Sequence, residues 1–392
     1  MKKVTIILII LFNLYTYGLD FGITFLTFVE IFIGILILVY IISFKPIKIE
    51  HNSTVLITFL FISLISYFSN INNINGIDFI FSSFRLLFWV LFMIIVFPYV
   101  KNDIVNNHKQ FYTLIMQITM IVSLICIFQY IGYYLGLNQD LINLKYLGPI
   151  MRSHESRMIS DVFGTEKIRP ASIYVEPSFF ALINILNTTY LLYWAKTTTD
   201  LNKCIFFLGT VILSNSFFGI IISLGLLVVI YLKYPKSLKT QLALIIFSIL
   251  FLLYFPFDYI FDRITGKIYT GSTIFRIITP ITHIIETLKF KPLFGLGWNN
   301  TIVLAKSETN LIEFYKNTGN IISHVITSTG IIGFILFILI FINIVKNKKN
   351  KLFLIILIMC ILLSTGDLLI PYFWYVLLII SVIPCNNNIF KC

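Results

Sequence analysis

The chain has 392 residues and a mass of 45.4 kDa, and 58% of its residues are hydrophobic while 12% are charged. Soluble domains carry about 25% charged residues, so this composition, with a mean hydropathy of +0.94, excludes a soluble protein. The net charge of +12 has no soluble surface on which to form a basic stripe, and we therefore predict no nucleic-acid partner.

Apolar runs of helix length recur along the whole chain, which favours helices over a lipid-facing β-barrel. We predict an all-α fold, a polytopic bundle of twelve transmembrane helices that forms a single integral membrane domain over 1–392. The runs are 4–17, 21–43, 53–69, 79–99, 111–135, 178–195, 204–232, 240–256, 324–344, 352–366 and 369–384.

The run 204–232 counts as two spans in this prediction. As one helix it would be about 43 Å long, against a hydrocarbon core of about 30 Å. We expect it to break at Ser214-Asn215-Ser216. With this break, the lysines alternate between the two sides as the positive-inside rule requires, and both termini are cytoplasmic. Two large external segments follow, 136–177 and 257–323, which contain short amphipathic helices.

The arginines are distributed unevenly in this topology. All cytoplasmic cations are lysines, whereas five of the six arginines fall in the external segments and the sixth, Arg85, in a span. Lysine is sufficient for orientation, whereas the planar guanidinium binds carboxylates or phosphates through two oxygens. The outer face is therefore predicted to handle anions, unless these arginines only pair with external acids. The external arginines are Arg152, Arg157, Arg169, Arg263 and Arg276.

The first external segment ends in Glu176-Pro177-Ser178. Pro177 suits the first turn of a helix, and an acid beside the positive helix end is stabilised without a partner. Glu176 is then either a helix-start device or a carboxylate available as a base or as an acceptor for sugar hydroxyls.

In the second external segment, 272–290 has an apolar face at helical spacing and a polar stripe that includes Arg276 and His283. We expect this helix to lie on the bilayer surface or to cap the bundle, with its apolar face down. Arg276 and His283 lie about two turns apart on this stripe. With this spacing, one side chain can hold a phosphate while the other contacts a neighbouring group. The alternative is a polar face that simply meets water.

His324 enters the next span at the outer membrane boundary, after a turn that contains Gly295-Leu296-Gly297. Its imidazole is either a base or phosphate ligand, or only a hydrogen-bonded interfacial residue.

Two charged residues, Glu30 and Arg85, lie within predicted spans, where charge is costly. They are either a structural ion pair, or Arg85 joins the external arginines at the floor of a cavity.

The chain resembles the O-antigen polymerase (Wzy) and O-antigen ligase superfamily. The resemblance lies in Arg169-Pro170 through Glu176-Pro177-Ser178, in Leu213-Ser214-Asn215-Ser216, in Arg276 before Lys291-Pro292-Leu293-Phe294-Gly295-Leu296-Gly297, and in His324 before Gly330-Ile331-Ile332-Gly333.

This resemblance implies a glycosyltransferase of the bacterial inner membrane. The enzyme would move a growing glycan from undecaprenyl diphosphate to the next lipid-linked repeat unit at the outer face, without a metal or other cofactor. The donor, the acceptor and the bilayer are the implied partners, together with a chain-length regulator and a flippase.

The resemblance also implies roles for individual residues. Arg169 and Arg276 would hold the diphosphate, with Arg152, Arg157 and Arg85 as further candidates, and Glu176 or His324 would accept the proton of the attacking hydroxyl. Val325 follows His324 where ligases of the superfamily have asparagine, which favours a polymerase over a ligase. A flippase of the same lipid is the alternative from another class, but it would need more charged residues within the spans.

Overall fold

The computed structural model describes residues 1–20, 25–43, 51–68, 76–138, 159–162, 165–174, 176–233, 279–297, 320–345 and 371–383. These residues are mostly helical, which confirms the predicted helical class. Three helical stretches among them are long and apolar enough to cross a membrane: Phe84–Asn106, His108–Tyr134 and Ile321–Ile340. Twelve spans stay a prediction, and the predicted spans 240–256 and 352–366 lie outside the described residues.

The helices are α1 Lys3–Asn13, α2 Phe28–Ile42, α3 His51–Phe68, α4 Gly76–Leu91, α5 Phe97–Asn106, α6 His108–Tyr134, α7 Pro177–Trp194, α8 Thr198–Leu213, α9 Phe217–Lys233, α10 Thr279–Phe290, α11 Ile321–Val345 and α12 Pro371–Val382. The chain forms two compact units. The first comprises Met1–Ile31 and Asp103–Phe261, and the second comprises Phe32–Asn102 and Asp262–Cys392.

The first unit is built around α7, which is buried on nearly all sides and packs against α6, α8 and α9. A helix that is apolar all round belongs in an interior. The two asparagines of α7 bond to other helices: Asn184 donates to Ser123 Oγ at 3.1 Å and to Thr210 Oγ1 at 3.2 Å, and Asn187 donates to Asn13 Oδ1 at 2.9 Å. These bonds tie α7 to α6, α8 and α1 without any charged group.

The predicted break in 204–232 is confirmed. Helix α8 ends at Leu213 and α9 begins at Phe217, with Asn215 in the left-handed region at φ 52°. Ser214 Oγ donates to the carbonyl of Val211 at 2.6 Å, so a side chain of the interrupting tripeptide bonds to the end of α8. Asparagine tolerates the left-handed conformation better than most residues, which explains why the helix ends here.

In the second unit, α3 and α10 both pack against α11. A π-helical turn, Phe92–Val96, joins α4 to α5. Trp89 of α4 stacks on Trp374 of α12, with ring centroids 5.4 Å apart and planes at 9°. The apolar pattern of the sequence does not reveal this π turn, because a π bulge does not change the hydrophobic character of the residues around it.

Two short antiparallel hairpins depart from the all-α prediction. Strands β1 (Gly18–Asp20) and β2 (Phe25–Thr27) pair in the first, and β3 (Ile159–Val162) and β4 (Thr165–Ile168) pair in the second. The first follows α1, which ends at Asn13, four residues before the predicted end of that span. The external placement of 136–177 and 257–323 stays a prediction.

Candidate active-site residues in each unit

The described candidate residues divide between the two units. Arg169, Glu176 and Glu30 belong to the first unit, and Arg85, His283 and His324 belong to the second. Arg152, Arg157 and Arg276 lie outside the described residues, as does Arg263.

In the first unit, the main chain between Arg169 and Glu176 is fixed by Gln129 of α6. The side-chain amide of Gln129 donates to the Ser172 carbonyl at 2.8 Å, and its oxygen accepts from the Ser172 N–H at 2.7 Å. Ser172 Oγ donates to the carbonyl of Val122, also in α6, at 2.6 Å. Both Gln129 and Ser172 are buried, so these bonds lie away from water.

Two tyrosines that follow α1 hold the same segment from another side. The hydroxyl of Tyr17 donates to the Ile173 carbonyl. The ring of Tyr15 lies 6.4 Å from the Tyr174 ring and 5.8 Å from the Phe179 ring, centroid to centroid. The polypeptide that leads into α7 is therefore braced by α6 and by the residues after α1.

Glu176 is the N-cap residue of α7, and Pro177 is the first residue of the helix, as the sequence predicts. The carboxylate makes no capping bond to a backbone N–H of the helix; instead it accepts a hydrogen bond from Ser178 Oγ at 3.0 Å. The Glu176 side chain is partly buried, whereas Pro177 and Ser178 are buried. The carboxylate therefore lies at the positive end of α7, with no part in capping its amides.

Glu30 has a clear structural function at the start of α2. Thr27 and Glu30 form a reciprocal capping pair: the Glu30 carboxylate accepts from the Thr27 N–H at 2.9 Å and from Thr27 Oγ1 at 2.8 Å, and the Glu30 N–H donates to Thr27 Oγ1 at 3.3 Å. A capping box explains a buried acid at a helix start without a catalytic role. Arg85 is partly buried in α4, and its proposed pairing with Glu30 stays a prediction.

In the second unit, α10 turns its polar stripe inward. Thr279, His283 and Thr287 are each 0% exposed, whereas Ile281 and Ile285 are 53% and 47% exposed. A polar face that meets water is therefore wrong for the described part of this helix, because the face packs against α11. The apolar face is thus the outward one, and the expectation that it is directed at the bilayer stays a prediction.

Burial changes the protonation of His283. Desolvation lowers the pKa of its imidazole to about 4, so the side chain is neutral at pH 7. His324 of α11 is also buried, at 1% exposed. Its neighbour Ser323 donates through Oγ to the Pro280 carbonyl of α10 at 3.3 Å, which joins the histidine-bearing turns of the two helices.

The start of α11 is set by Asn320, whose side-chain oxygen accepts from the Ser323 N–H at 2.8 Å as an N-cap. Further along, the helix is interrupted at Gly330, which has φ 67° and ψ −165°. A Cβ at Gly330 would lie 2.4 Å from the carbonyl carbon and oxygen of Leu293, so only glycine fits there. His324 thus lies in the short first half of a broken helix.

The turn 291–297 binds the interruption of α11 through main-chain bonds. The N–H groups of Leu296 and Gly297 donate to the carbonyls of Thr327 and Ser328 at 2.7 and 3.0 Å. The N–H groups of Ile331 and Ile332 donate to the carbonyls of Pro292 and Leu293 at 2.9 and 3.3 Å. Ser66 of α3 adds a bond from its Oγ to the Ser328 carbonyl at 2.7 Å.

These bonds supply partners for the backbone groups that the break in α11 releases, which an apolar environment requires. They bring together two motifs that the resemblance singled out, Gly295-Leu296-Gly297 and Gly330-Ile331-Ile332-Gly333. The backbone of this turn therefore approaches another helix closely.

Sequence reasoning missed Gln129 and Ser66. Each is a polar residue inside an apolar run, and this was the available signal, because a buried amide or hydroxyl needs a partner. Within the described parts of the chain, no three His, Cys, Asp or Glu side chains lie close enough to hold a metal ion.

The family model of the WcaD colanic acid polymerase matches residues 2–385, nearly the whole chain. Comparison with curated proteins gives no match. The matched range includes both units, the segment Arg169 to Glu176 and the broken helix that carries His324. The chain therefore belongs to the WcaD colanic acid polymerase family, and is a membrane-embedded polysaccharide polymerase of the glycosyltransferase kind.

Proposed function

We propose that this polymerase transfers a growing glycan from undecaprenyl diphosphate to the next lipid-linked repeat unit, at the outer face of the bacterial inner membrane. The family match over residues 2–385 carries this proposal. The apolar helices support it, because a substrate with a polyprenyl tail stays in the bilayer. The proposed orientation has both termini in the cytoplasm.

In the proposed reaction, a hydroxyl of the acceptor sugar attacks the anomeric carbon of the donor glycan. The bond between that carbon and the diphosphate oxygen breaks with its electron pair on the diphosphate, and the hydroxyl proton passes to a base. Negative charge therefore builds on the diphosphate as it leaves. Fixed cationic donors lower the barrier to such a step, since they need no reorganisation while charge develops.

We assign the diphosphate contacts to Arg169 and Arg276, with Arg152, Arg157 and Arg85 as additional cations. Two observations support Arg169: its side chain is only partly buried, and the main chain after it is fixed by Gln129. A guanidinium can bind two phosphate oxygens at once, which lysine cannot do. In this proposal the transfer uses no metal ion.

We assign the proton acceptor to Glu176 in preference to His324. The Glu176 carboxylate is partly exposed at the start of α7, whereas the His324 imidazole is buried and 1% exposed. A base must lie within hydrogen-bond distance of the hydroxyl that it deprotonates, and a partly exposed carboxylate is more accessible to that hydroxyl than a buried imidazole. In this assignment His283 and His324, which are both buried in the second unit, take no direct part in the reaction.

The experiment measures surface polysaccharide in cells that carry only a variant gene. Arg169→Lys retains the charge but loses two-point binding, so we expect chains to shorten to one or a few repeat units at unchanged protein level. Lys196→Arg, at an exposed site after α7, is the matched control and should leave chain length normal. Normal chains in Arg169→Lys would contradict the assignment of Arg169.

Deletion of the gene separates the competing activities. Loss of a polymerase leaves single repeat units on the cell surface. Loss of a ligase leaves long chains on the lipid carrier, and loss of a flippase leaves neither product. A chain-length regulator and a flippase are the proposed protein partners.

A further inference from the structure

We propose that Gln129 is a positioning residue for glycan transfer, which acts by fixing the main chain between Arg169 and Glu176. This inference rests on the proposed function, because it assumes that those two side chains serve the reaction. Gln129 lies near the end of α6, and its two bonds to Ser172 fall between the two proposed site residues in sequence.

The side-chain amide of Gln129 pairs with the backbone of Ser172 through two hydrogen bonds, as two peptide groups do in a β-ladder. Its carboxamide bonds both the N–H and the C=O of Ser172, so the segment cannot slide by a residue without losing both bonds. Gln129 is 0% exposed, and hydrogen bonds away from water are electrostatically stronger than those at a surface. The contact therefore fixes both position and register.

The conformation of Ser172 shows why such a clamp is needed. Its φ is 55°, in the left-handed region that residues with a Cβ rarely adopt. Such a conformation persists only where neighbouring bonds determine it, and here these are the Gln129 bonds and the bond from Ser172 Oγ to Val122. The turn redirects the chain from Arg169 towards Glu176 and the start of α7.

A packing role alone does not account for Gln129. A buried amide in an apolar helix is costly unless both its donor and its acceptor are used, and leucine would fill a similar volume without that cost. In both contacts the side chain bonds to the backbone of the segment that carries the proposed site. Its polar atoms thus act on Arg169 and Glu176 through the main chain.

The test is a turnover assay in proteoliposomes. The substrate is the lipid-linked repeat unit extracted from cells that lack the polymerase gene. Gln129→Leu removes both bonds, and we expect turnover to fall at least tenfold with little change in substrate KM. Gln117→Leu, an exposed glutamine on the same helix, is the matched control and should remain within twofold of the wild type. Turnover within twofold of the wild type in Gln129→Leu would overturn the proposal.

A second variant tests the hydrogen bonds themselves. In Gln129→Glu, the protonated acid can donate to the Ser172 carbonyl as glutamine does, whereas the carboxylate cannot. We expect the ratio of variant to wild-type turnover to rise at least threefold as the pH falls from 8 to 6. If Gln129→Leu does not accumulate in membranes, this series decides alone, and a constant ratio over that range overturns the proposal.

The arginine variant separates this inference from the proposed function. If Arg169→Lys alone retains full turnover, the proposed function of Arg169 is wrong, whatever the result at Gln129. If Arg169→Lys is impaired and Gln129→Leu is normal, only the positioning proposal fails. If both single variants are impaired, we expect the turnover of the double variant to be at most twofold lower than that of Arg169→Lys. The effects of two residues that act through one segment are not additive.

Discussion

The carboxylate of Glu176 and the amide of Gln129 differ in how far their functions can be recognised from the sequence. The pattern Glu-Pro-Ser placed Glu176 correctly at the start of a helix, because Pro favours the first helical position. No local pattern marks Gln129, since its partner Ser172 is distant in the chain. Local sequence patterns therefore predict where the helix starts. The contact that positions this start is visible only in the tertiary structure.

We predict that Glu176→Gln abolishes chain extension with little loss of stability. Its carboxylate makes no capping bond in α7, so the variant loses only the attraction of a negative charge to the helix end, about 0.5 kcal/mol. Surface polysaccharide length and the thermal midpoint of the purified protein measure the two effects. Ser178→Ala, which removes a hydroxyl that donates to the carboxylate, is the companion variant and should retain extension. Extension by Glu176→Gln would show that the residue serves only the helix start.

The buried imidazole of His283 predicts that stability depends on pH. Its folded pKa of about 4 lies below the value of 6.5 expected when unfolded, so between these values the unfolded chain binds more protons. The free energy of unfolding should then fall as the pH is lowered through this range, by at most about 1.4 kcal/mol per pH unit.

Thermal midpoints in detergent between pH 7 and 4.5 test this dependence, with His283→Gln expected to flatten the part due to this residue. Gln117→Asn, at an exposed position of α6 without an ionisable group, is the control and should retain the wild-type slope. An unchanged slope in His283→Gln would contradict the prediction.

At the scale of elements, the length of 204–232 and the positions of the lysines predicted the interruption at Ser214-Asn215-Ser216. The apolar pattern predicted most of the described helices, but it left most of α5 between the predicted spans 79–99 and 111–135. It did not find the break in α11, because the residues on both sides of Gly330 are apolar and the pattern continues through it. The bonds that stabilise the break come from 291–297, and a single segment of sequence does not contain them. For α10, periodicity identified both faces correctly, but only tertiary packing shows that the polar face is inside.

We predict that Gly330→Ala destabilises the second unit by more than about 2 kcal/mol. The backbone at φ 67° and ψ −165° is nearly restricted to glycine, and the added Cβ would meet Leu293 at 2.4 Å. Gly225→Ala in α9, where no atom lies within 4 Å of the new Cβ, should be neutral or stabilising by up to about 1 kcal/mol. Denaturation midpoints of the two variants measure the difference, and equal midpoints would show that the break tolerates a side chain.

At the scale of the whole molecule, composition and charge predicted a helical membrane protein, and the family match agrees with that class. The count and order of the spans depend on which lysines face the cytoplasm, and side-chain packing within each unit carries no information about the side of the membrane. Orientation therefore needs a measurement on intact cells.

We predict that a cysteine at Asn138, an exposed position after α6, reacts with a membrane-impermeant maleimide in intact cells. A cysteine at Lys196, an exposed position after α7, should react only after the membrane is permeabilised. A background without the five native cysteines removes unrelated labelling. The reverse pattern would place the proposed site on the cytoplasmic side and exclude the proposed outer-face reaction.

The turn that binds the broken helix has a consequence for where the chain tolerates inserted residues. Gly297 is bonded to Ser328, and Asn320 caps the helix in which Ser328 lies, so the stretch 298–319 leaves and returns to anchored points in one unit. Insertions between anchored ends cost little conformational entropy, roughly 0.6 kcal/mol for each doubling of length. An insertion between Gly297 and Asn320 is therefore expected to leave the bonds at both anchored ends intact.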